Sequence, residues 1–216
     1  FGRVPRTEAL ENSINSVFCN LGKELGAGTV LEYAERFGFY DRPPIELPSN
    51  EVLISGLYRN GRLYKPDDPS EVDPGRLAFG QERLIVTPLQ MALVAAGVAN
   101  DGVVMEPRLV QRITAPDGDV VERFDPEEWK TAIKPSTAAE LTAMMTLVVE
   151  SGTGTAAQIP GVSVAGKTGT AETGVAGRNN TWFIAFAPAD APKVAVAVAL
   201  SDQSGTGGVT AAPIAK

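Results

Sequence analysis

The run Val194-Ala195-Val196-Ala197-Val198-Ala199-Leu200 alternates branched apolar residues with alanine and places no polar side chain on either parity. Read as a strand, it has two apolar faces, so the sheet that contains it must be covered above and below. Two further strands precede it. Val162-Ser163-Val164-Ala165 leads into Lys167-Thr168-Gly169-Thr170, and Trp182 to Ala187 forms the next run. The links between the three are short, which favours antiparallel hairpins over crossovers. The expected fold class is therefore α/β of the α+β kind, an antiparallel sheet flanked by helices.

The covering helices lie earlier in the chain. Ser13 is placed to cap a helix with Val17, Phe18, Leu21 and Leu25 on one face. Thr29-Val30-Leu31-Glu32 reads as the capping box of a second helix that stops at Gly38. Thr87-Pro88-Leu89-Gln90 opens a nearly all-apolar, buried helix that ends at Asn100-Asp101-Gly102. Thr137 and Glu140 would cap another, with Leu141, Met144, Met145, Val148 and Val149 at helical spacing. Between these, residues 41–73 are rich in Pro, Asn, Asp and Gly and predict a long irregular loop. Leu109 to Phe124 predicts a hairpin turning at Pro116-Asp117-Gly118-Asp119. No internal repeat or clean linker interrupts the 216 residues, a length that fits one domain.

Composition removes several chemistries. The chain has no histidine, which excludes Ser-His-Asp and Cys-His arrangements and imidazole metal sites. Its one cysteine, Cys19, excludes an internal disulfide and a Cys-rich metal centre. No metal or cofactor is expected. A net charge of −7 argues against a nucleic-acid partner. The longest helix-like run free of charge, Thr87 to Asn100, is shorter than the roughly 20 residues of a membrane span. Any acid–base chemistry must come from lysine, carboxylate or hydroxyl groups.

Lys167-Thr168-Gly169-Thr170 is the sharpest local feature. Lysine supplies a fixed positive charge, the hydroxyls supply donors for a carboxylate or oxyanion, and glycine admits close approach of another backbone. A solvent-exposed strand end with a turn glycine would look the same. Ser13-Ile14-Asn15 puts a hydroxyl and an amide two residues apart at a helix start, where both are also ordinary capping residues.

Taken together and in order, these motifs resemble the transpeptidase domain of penicillin-binding proteins, serine acyltransferases that cross-link bacterial cell walls. The family's signatures are a Ser-x-x-Lys pair, a Ser-x-Asn element and Lys-Thr-Gly. Ser13-Ile14-Asn15, followed by Ser16-Val17-Phe18 and Leu21-Gly22, is similar to the second. Lys167-Thr168-Gly169-Thr170-Ala171-Glu172 is similar to the third, and Trp182 to Pro188 to the strand after it. Phe79-Gly80-Gln81 and Val86 to Ala92 resemble the loop and helix between them. The resemblance implies a sheet domain with an all-helical subdomain, here residues 1–160 (mainly helical, with the long loop and the hairpin) and residues 161–216 (strands and the start of a final helix).

It also implies a chemistry. A serine attacks the D-Ala–D-Ala amide of a peptidoglycan stem peptide, and an amine from a neighbouring stem resolves the acyl-enzyme; β-lactams trap it. By motif, Ser13 relays a proton to the leaving amine, Asn15 holds the substrate amide, and Lys167 supplies positive potential. Thr168 and Thr170 bind the substrate carboxylate beside Gly169, and the Thr170 backbone N–H completes the oxyanion hole. Strict strand alternation would put Lys167 and both threonines on opposite faces, which calls for twist or an edge bulge.

The sequence departs from the family in three places. No serine in the chain is followed by lysine three positions later, so the nucleophile is expected on an upstream segment of the same protein, and this chain alone is expected to be inactive. Glu82 stands where the family usually has glycine, and Thr181 where histidine often precedes the tryptophan. Partners implied are stem peptides, β-lactams, the upstream segment and cell-wall elongation or division proteins, at the outer face of the bacterial cytoplasmic membrane. A D,D-carboxypeptidase or β-lactamase-type hydrolase, and a non-catalytic β-lactam sensor, would carry the same motifs.

Overall fold

In the computed structural model, which describes residues 3–216, seven α-helices and ten strands alternate with short 3-10 turns. The helices are α1 (Arg6–Glu11), α2 (Asn15–Leu25), α3 (Ala27–Arg36), α4 (Pro74–Ala78), α5 (Pro88–Ala99), α6 (Pro135–Glu150) and α7 (Gly207–Thr210). Four small-sheet strands are β1 (Gly56–Arg59), β2 (Arg62–Leu63), β3 (Leu84–Ile85) and β4 (Val103–Met105). Next come β5 (Arg112–Thr114), β6 (Val120–Arg123) and β7 (Glu128–Thr131). The last three strands are β8 (Ala165–Glu172), β9 (Asn179–Ala187) and β10 (Val194–Gln203).

The last three form one antiparallel sheet in the order β10-β9-β8. Its central strand is covered on both faces, as the apolar pattern requires. Phe186 packs with Ala95 and Val98 of α5 and Met145 of α6, while Phe183, of opposite parity, packs with Val149, Ala157, Ala211 and Ala212. β10 contributes to both cores through Ala195 on one face and Val196 and Val198 on the other. It is nonetheless an edge strand, with no residue fully buried.

Several expected helix starts move. α5 begins as read: the Thr87 side chain accepts from the Gln90 N–H at 3.1 Å, with Pro88 at the first helical position. α6 starts at Pro135 rather than at a Thr137 cap, because proline already sets the first helical φ; Thr137 and Glu140 are exposed within the helix. α3 starts at Ala27, since Gly26 (φ 80) breaks the chain directly after α2, and the Thr29 hydroxyl donates back to the Leu25 carbonyl at 2.9 Å. Ser13 does not cap α2 at all; it ends α1.

Residues 41–73 are not wholly irregular. Asn60 and Gly61 both have positive φ (54 and 74), a two-residue turn whose twist suits the β1–β2 hairpin. β1 also pairs with β3, which ties the segment to residues 84–85. The hairpin at 109–124 forms as expected, with β5 and β6 joined through Gly118 (φ 96). Beyond β10 the chain makes the single turn of α7 and then a 3-10 turn at Ala212–Ile214. Among the described residues no helix is long and apolar enough to cross a membrane.

Candidate active-site groove

Ser13 is placed by the way α1 stops. The Ile14 N–H returns to the Ala9 carbonyl at 2.9 Å, and the Ser13 N–H to the Leu10 carbonyl at 3.2 Å. This is the Schellman closure, with Ser13 in the left-handed position (φ 53) that glycine usually fills. Ile14 and Ala9, the pair that such a closure brings together, are both buried. The closure turns the chain into α2, where Asn15 occupies the first helical position and is exposed. A hydroxyl and an amide therefore project from the junction of two helices, and the hydroxyl sits on a strained backbone that the closure enforces.

Lys167 lies on β8, the other edge strand of the central sheet. Its ammonium donates to Ser13 Oγ at 2.8 Å and to the Thr168 carbonyl at 2.8 Å, joining positions 154 residues apart in sequence. Among the described residues no carboxylate pairs with it. Burial alone lowers the Lys167 pKa from 10.5 to about 8, because an ammonium loses hydration there without a counter-charge to replace it. The site thus holds a lysine able to exchange a proton near neutral pH through a serine hydroxyl.

The two threonines leave β8 on the opposite parity. Thr170 Oγ1 accepts from the Gly207 N–H at 3.1 Å, and Thr168 Oγ1 lies 2.7 Å from Thr153 Oγ1. β8 and β9 pair without a register shift from Ala165↔Phe186 to Glu172↔Asn179. Of the two expected devices, twist or an edge bulge, the bulge is absent from this pairing. Because β8 is an edge, side chains of both parities border the groove that runs alongside it. Gly169 lies flat against Trp182, where an added Cβ would sit 3.0 Å from the Trp182 Cβ. The missing side chain leaves room there for Trp182, its partner on β9.

The groove continues as two adjoining cavities of about 610 and 400 Å³, both bordered by residues 167–170, Phe79, Gln81 and Met91. Ser13, Asn15, Thr153 and Thr206 line the larger; Trp182 and Ile184 line the smaller. Among the described residues, Lys167 is the one charged side chain on these walls, a local positive site in a protein of net charge −7. All six residues singled out in the sequence, Ser13, Asn15, Lys167, Thr168, Gly169 and Thr170, border the larger cavity. Thr153, Thr206 and the rim residues Phe79 and Gln81 border it without having been singled out for chemistry. Thr153 and Thr206 each stand beside a glycine in a turn, and such local sequence gives no sign that their loops reach β8.

The two departures have structural readings. Glu82 adopts φ 67, the backbone region for which glycine is the default, and its carboxylate pairs with Arg83 at 2.7 Å and Arg76 at 3.5 Å. Thr181 is fully buried and accepts a hydrogen bond from Thr210 Oγ1 at 2.8 Å, fastening α7 across β9.

These features have counterparts in known proteins. A sequence model of the penicillin binding protein transpeptidase domain matches residues 2–216. Peptidoglycan D,D-transpeptidase PbpA of Mycolicibacterium smegmatis is 39% identical over 221 residues, covering 99% of this chain and 43% of that protein. The D,D-transpeptidase domain of a peptidoglycan glycosyltransferase from Eggerthella lenta superposes with a TM-score of 0.82 at 34% identity, over all of this chain and 52% of that one. Penicillin-binding protein A from M. tuberculosis, as its ceftriaxone acyl-enzyme complex, superposes with a TM-score of 0.83 at 36% identity, over 98% of this chain and 46% of that one. The chain thus spans less than half of the curated relative. An antiparallel sheet with helices on both faces, a Ser-x-Asn turn meeting a Lys-Thr-Gly edge strand, and matches along the whole sequence lead to one assignment: this chain belongs to the penicillin-binding protein transpeptidase domain family.

Proposed function

We propose that the protein carrying this chain is a peptidoglycan D,D-transpeptidase, and that residues 1–216 supply the Ser-x-Asn and Lys-Thr-Gly walls of its active site. The observation that carries this reading is the 2.8 Å contact between Lys167 Nζ and Ser13 Oγ at the head of an open strand edge. An extended stem peptide adds to the outer edge of β8, its terminal carboxylate held by Thr168, Thr170 and the positive potential of Lys167. Asn15 holds the substrate amide, and the Thr170 N–H contributes to the oxyanion hole. A serine hydroxyl attacks the carbonyl of the D-Ala–D-Ala amide, its proton passing to the lysine of its own Ser-x-x-Lys segment, and the C–N bond breaks as Ser13 gives a proton to the departing D-Ala amine. The proton taken from the attacking serine restores Ser13, in the positive potential of Lys167. An amine of a second stem peptide then takes the acyl group and releases the serine. β-Lactams occupy the same groove and stop at the acyl-enzyme.

The attacking serine is not among residues 1–216, where no serine has lysine three positions on. The reading therefore assigns it to a Ser-x-x-Lys segment brought beside Ser13, leaving this chain unreactive by itself. Residues 1–160 make the mainly helical part of the domain and residues 161–216 its sheet strands. Its place is the outer face of the cytoplasmic membrane, where stem peptides are cross-linked and the elongation and division machinery works.

Incubation with a penicillin followed by intact-mass measurement and peptide mapping tests this. The protein with its Ser-x-x-Lys segment should gain one adduct on that serine, and residues 1–216 alone should gain none. No adduct on the longer protein, or an adduct within residues 1–216, would overturn the reading.

A further inference from the structure

We infer that Thr153 is a positioning residue for carboxylate recognition, setting the direction in which the Thr168 hydroxyl donates; this rests on the acyl-transfer reading above. The two carboxylate-binding threonines differ in how their protons are directed. At Thr170 the backbone N–H of Gly207 can only donate, so Oγ1 accepts and the Thr170 proton is left for the groove. Thr168 has no such amide. Its hydroxyl faces another hydroxyl, Thr153 Oγ1, at 2.7 Å, and either can be the donor, because the Thr153 proton has a second, longer choice in the Glu11 carbonyl at 3.5 Å.

When Thr168 donates to Thr153, the groove meets only a lone pair, which repels an anion. When Thr153 donates to Thr168, the Thr168 proton turns outward and both threonines present donors to one carboxylate. A bound carboxylate selects the second arrangement. Thr153 thereby does on demand what the Gly207 amide does permanently, its proton turning from the Glu11 carbonyl at 3.5 Å to Thr168 at 2.7 Å.

The backbone at Thr153 is built to hold that hydroxyl still. The Thr153 N–H donates to the Glu11 carbonyl at 3.2 Å, and the Ser151 hydroxyl donates to the Glu11 carboxylate at 2.6 Å. On either side the chains touch without room for side chains. A Cβ on Gly152 would lie 2.3 Å from the Glu11 carbonyl oxygen, and one on Gly208 would lie 2.2 Å from the Thr153 carbonyl oxygen. The loop is clamped between the end of α1, two residues before Ser13, and the start of α7. A hydroxyl on such a clamp stays in register with β8, as a supporting group for a binding residue must.

The test compares acylation of the protein with its Ser-x-x-Lys segment by benzylpenicillin and by benzylpenicillin methyl ester, which lacks the carboxylate. Thr153→Val should slow acylation by benzylpenicillin about tenfold, the scale of one oriented hydrogen bond to a charged group, and leave the ester rate within about twofold. Thr153→Ser, which keeps the hydroxyl, should restore the benzylpenicillin rate. Thermal melting of each variant reports folding. Equal slowing with both compounds, or no slowing with either, would overturn the inference while the acyl-transfer reading stands. Failure of the unsubstituted protein to react with benzylpenicillin would overturn that reading and this inference together.

Discussion

Ser13 occupies a backbone position that glycine would fill with less strain, yet its hydroxyl is what Lys167 reaches. Fold and chemistry can therefore be separated at this residue. A left-handed residue with a Cβ carries about 1 kcal/mol of strain that glycine avoids. Ser13→Gly should thus be about 1 kcal/mol more stable than Ser13→Ala in urea unfolding, while both remove the hydroxyl and lose β-lactam acylation alike. Equal stability of the two variants would show that the left-handed backbone at Ser13 carries no such strain. Lys167 gives a second residue-scale prediction. Its folded pKa, about 8, lies below the unfolded value of 10.5, so between these pH values the unfolded chain binds more protons. Stability must then rise with pH across that window, and below about pH 8 the charged, desolvated lysine is a full penalty of order 3 kcal/mol. Unfolding free energies for the natural chain and for Lys167→Met, measured from pH 7.5 to 10.5, should diverge at the low end and converge at the high end; parallel curves would count against a desolvated lysine. The motif letters at 13–15 and 167–170 were legible in sequence because each carries a distinct functional group. The reason Ser13 stands where it does was not, because a Schellman closure depends on the α1 carbonyls, and the residues of α1 show no helical periodicity.

At the scale of elements, legibility followed the strength of local chemistry. α5 was readable because Thr87, Pro88 and Gln90 agree. α3 was misplaced because Thr29 and Glu32 imitate a capping box, whereas Gly26, three residues before Thr29, is what breaks the chain. Asn60-Gly61 is a strong hairpin signal that the Pro- and Asp-rich surroundings concealed. The packing of α7 on β8 and β9 was invisible, since it depends on glycines whose neighbours come from distant segments. A Cβ on Gly207 would lie 2.4 Å from both the Gly169 and the Trp182 carbonyl oxygens. Neither backbone can yield without unpairing the sheet, so Gly207→Ala should cost about 3 kcal/mol or more in thermal or urea unfolding. Gly28, inside α3, offers the contrast: its nearest neighbour would be Pro69 Cγ at 3.5 Å. Gly28→Ala should stabilise by up to about 1 kcal/mol through helix propensity. Similar effects at the two sites would mean that α7 does not depend on close backbone contact.

Across the whole molecule, the central sheet has two edges of opposite character. The β8 edge carries Lys167, Thr168 and Thr170 and opens onto the groove, where a charged ammonium and fixed hydroxyls restrict what can add to it. The β10 edge carries Val194, 60% exposed, and an alternating run of valine and alanine, and among the described residues it pairs only with β9. The sequence run that demanded coverage on both faces thus obtains it from α5 and from the 157 and 211–212 turns, while among the described residues no strand pairs with its outer side. An edge of this kind, apolar and nearly regular, is a template for another strand. Residues 1–216 by themselves should therefore self-associate as concentration rises through the micromolar range into that of 100 μM, measured by sedimentation velocity. A lysine on the exposed end of the strand works against pairing at an edge without entering the core. Val194→Lys with Ala199→Lys, both at exposed positions, should shift the chain toward monomer and leave its melting temperature within a few degrees. The Lys167 edge should contribute nothing to association, so Thr170→Val should leave the sedimentation profile unchanged. A chain that stays monomeric throughout, or a double-lysine variant that associates as strongly as the natural sequence, would show that β10 is not the surface through which the molecule seeks a further strand.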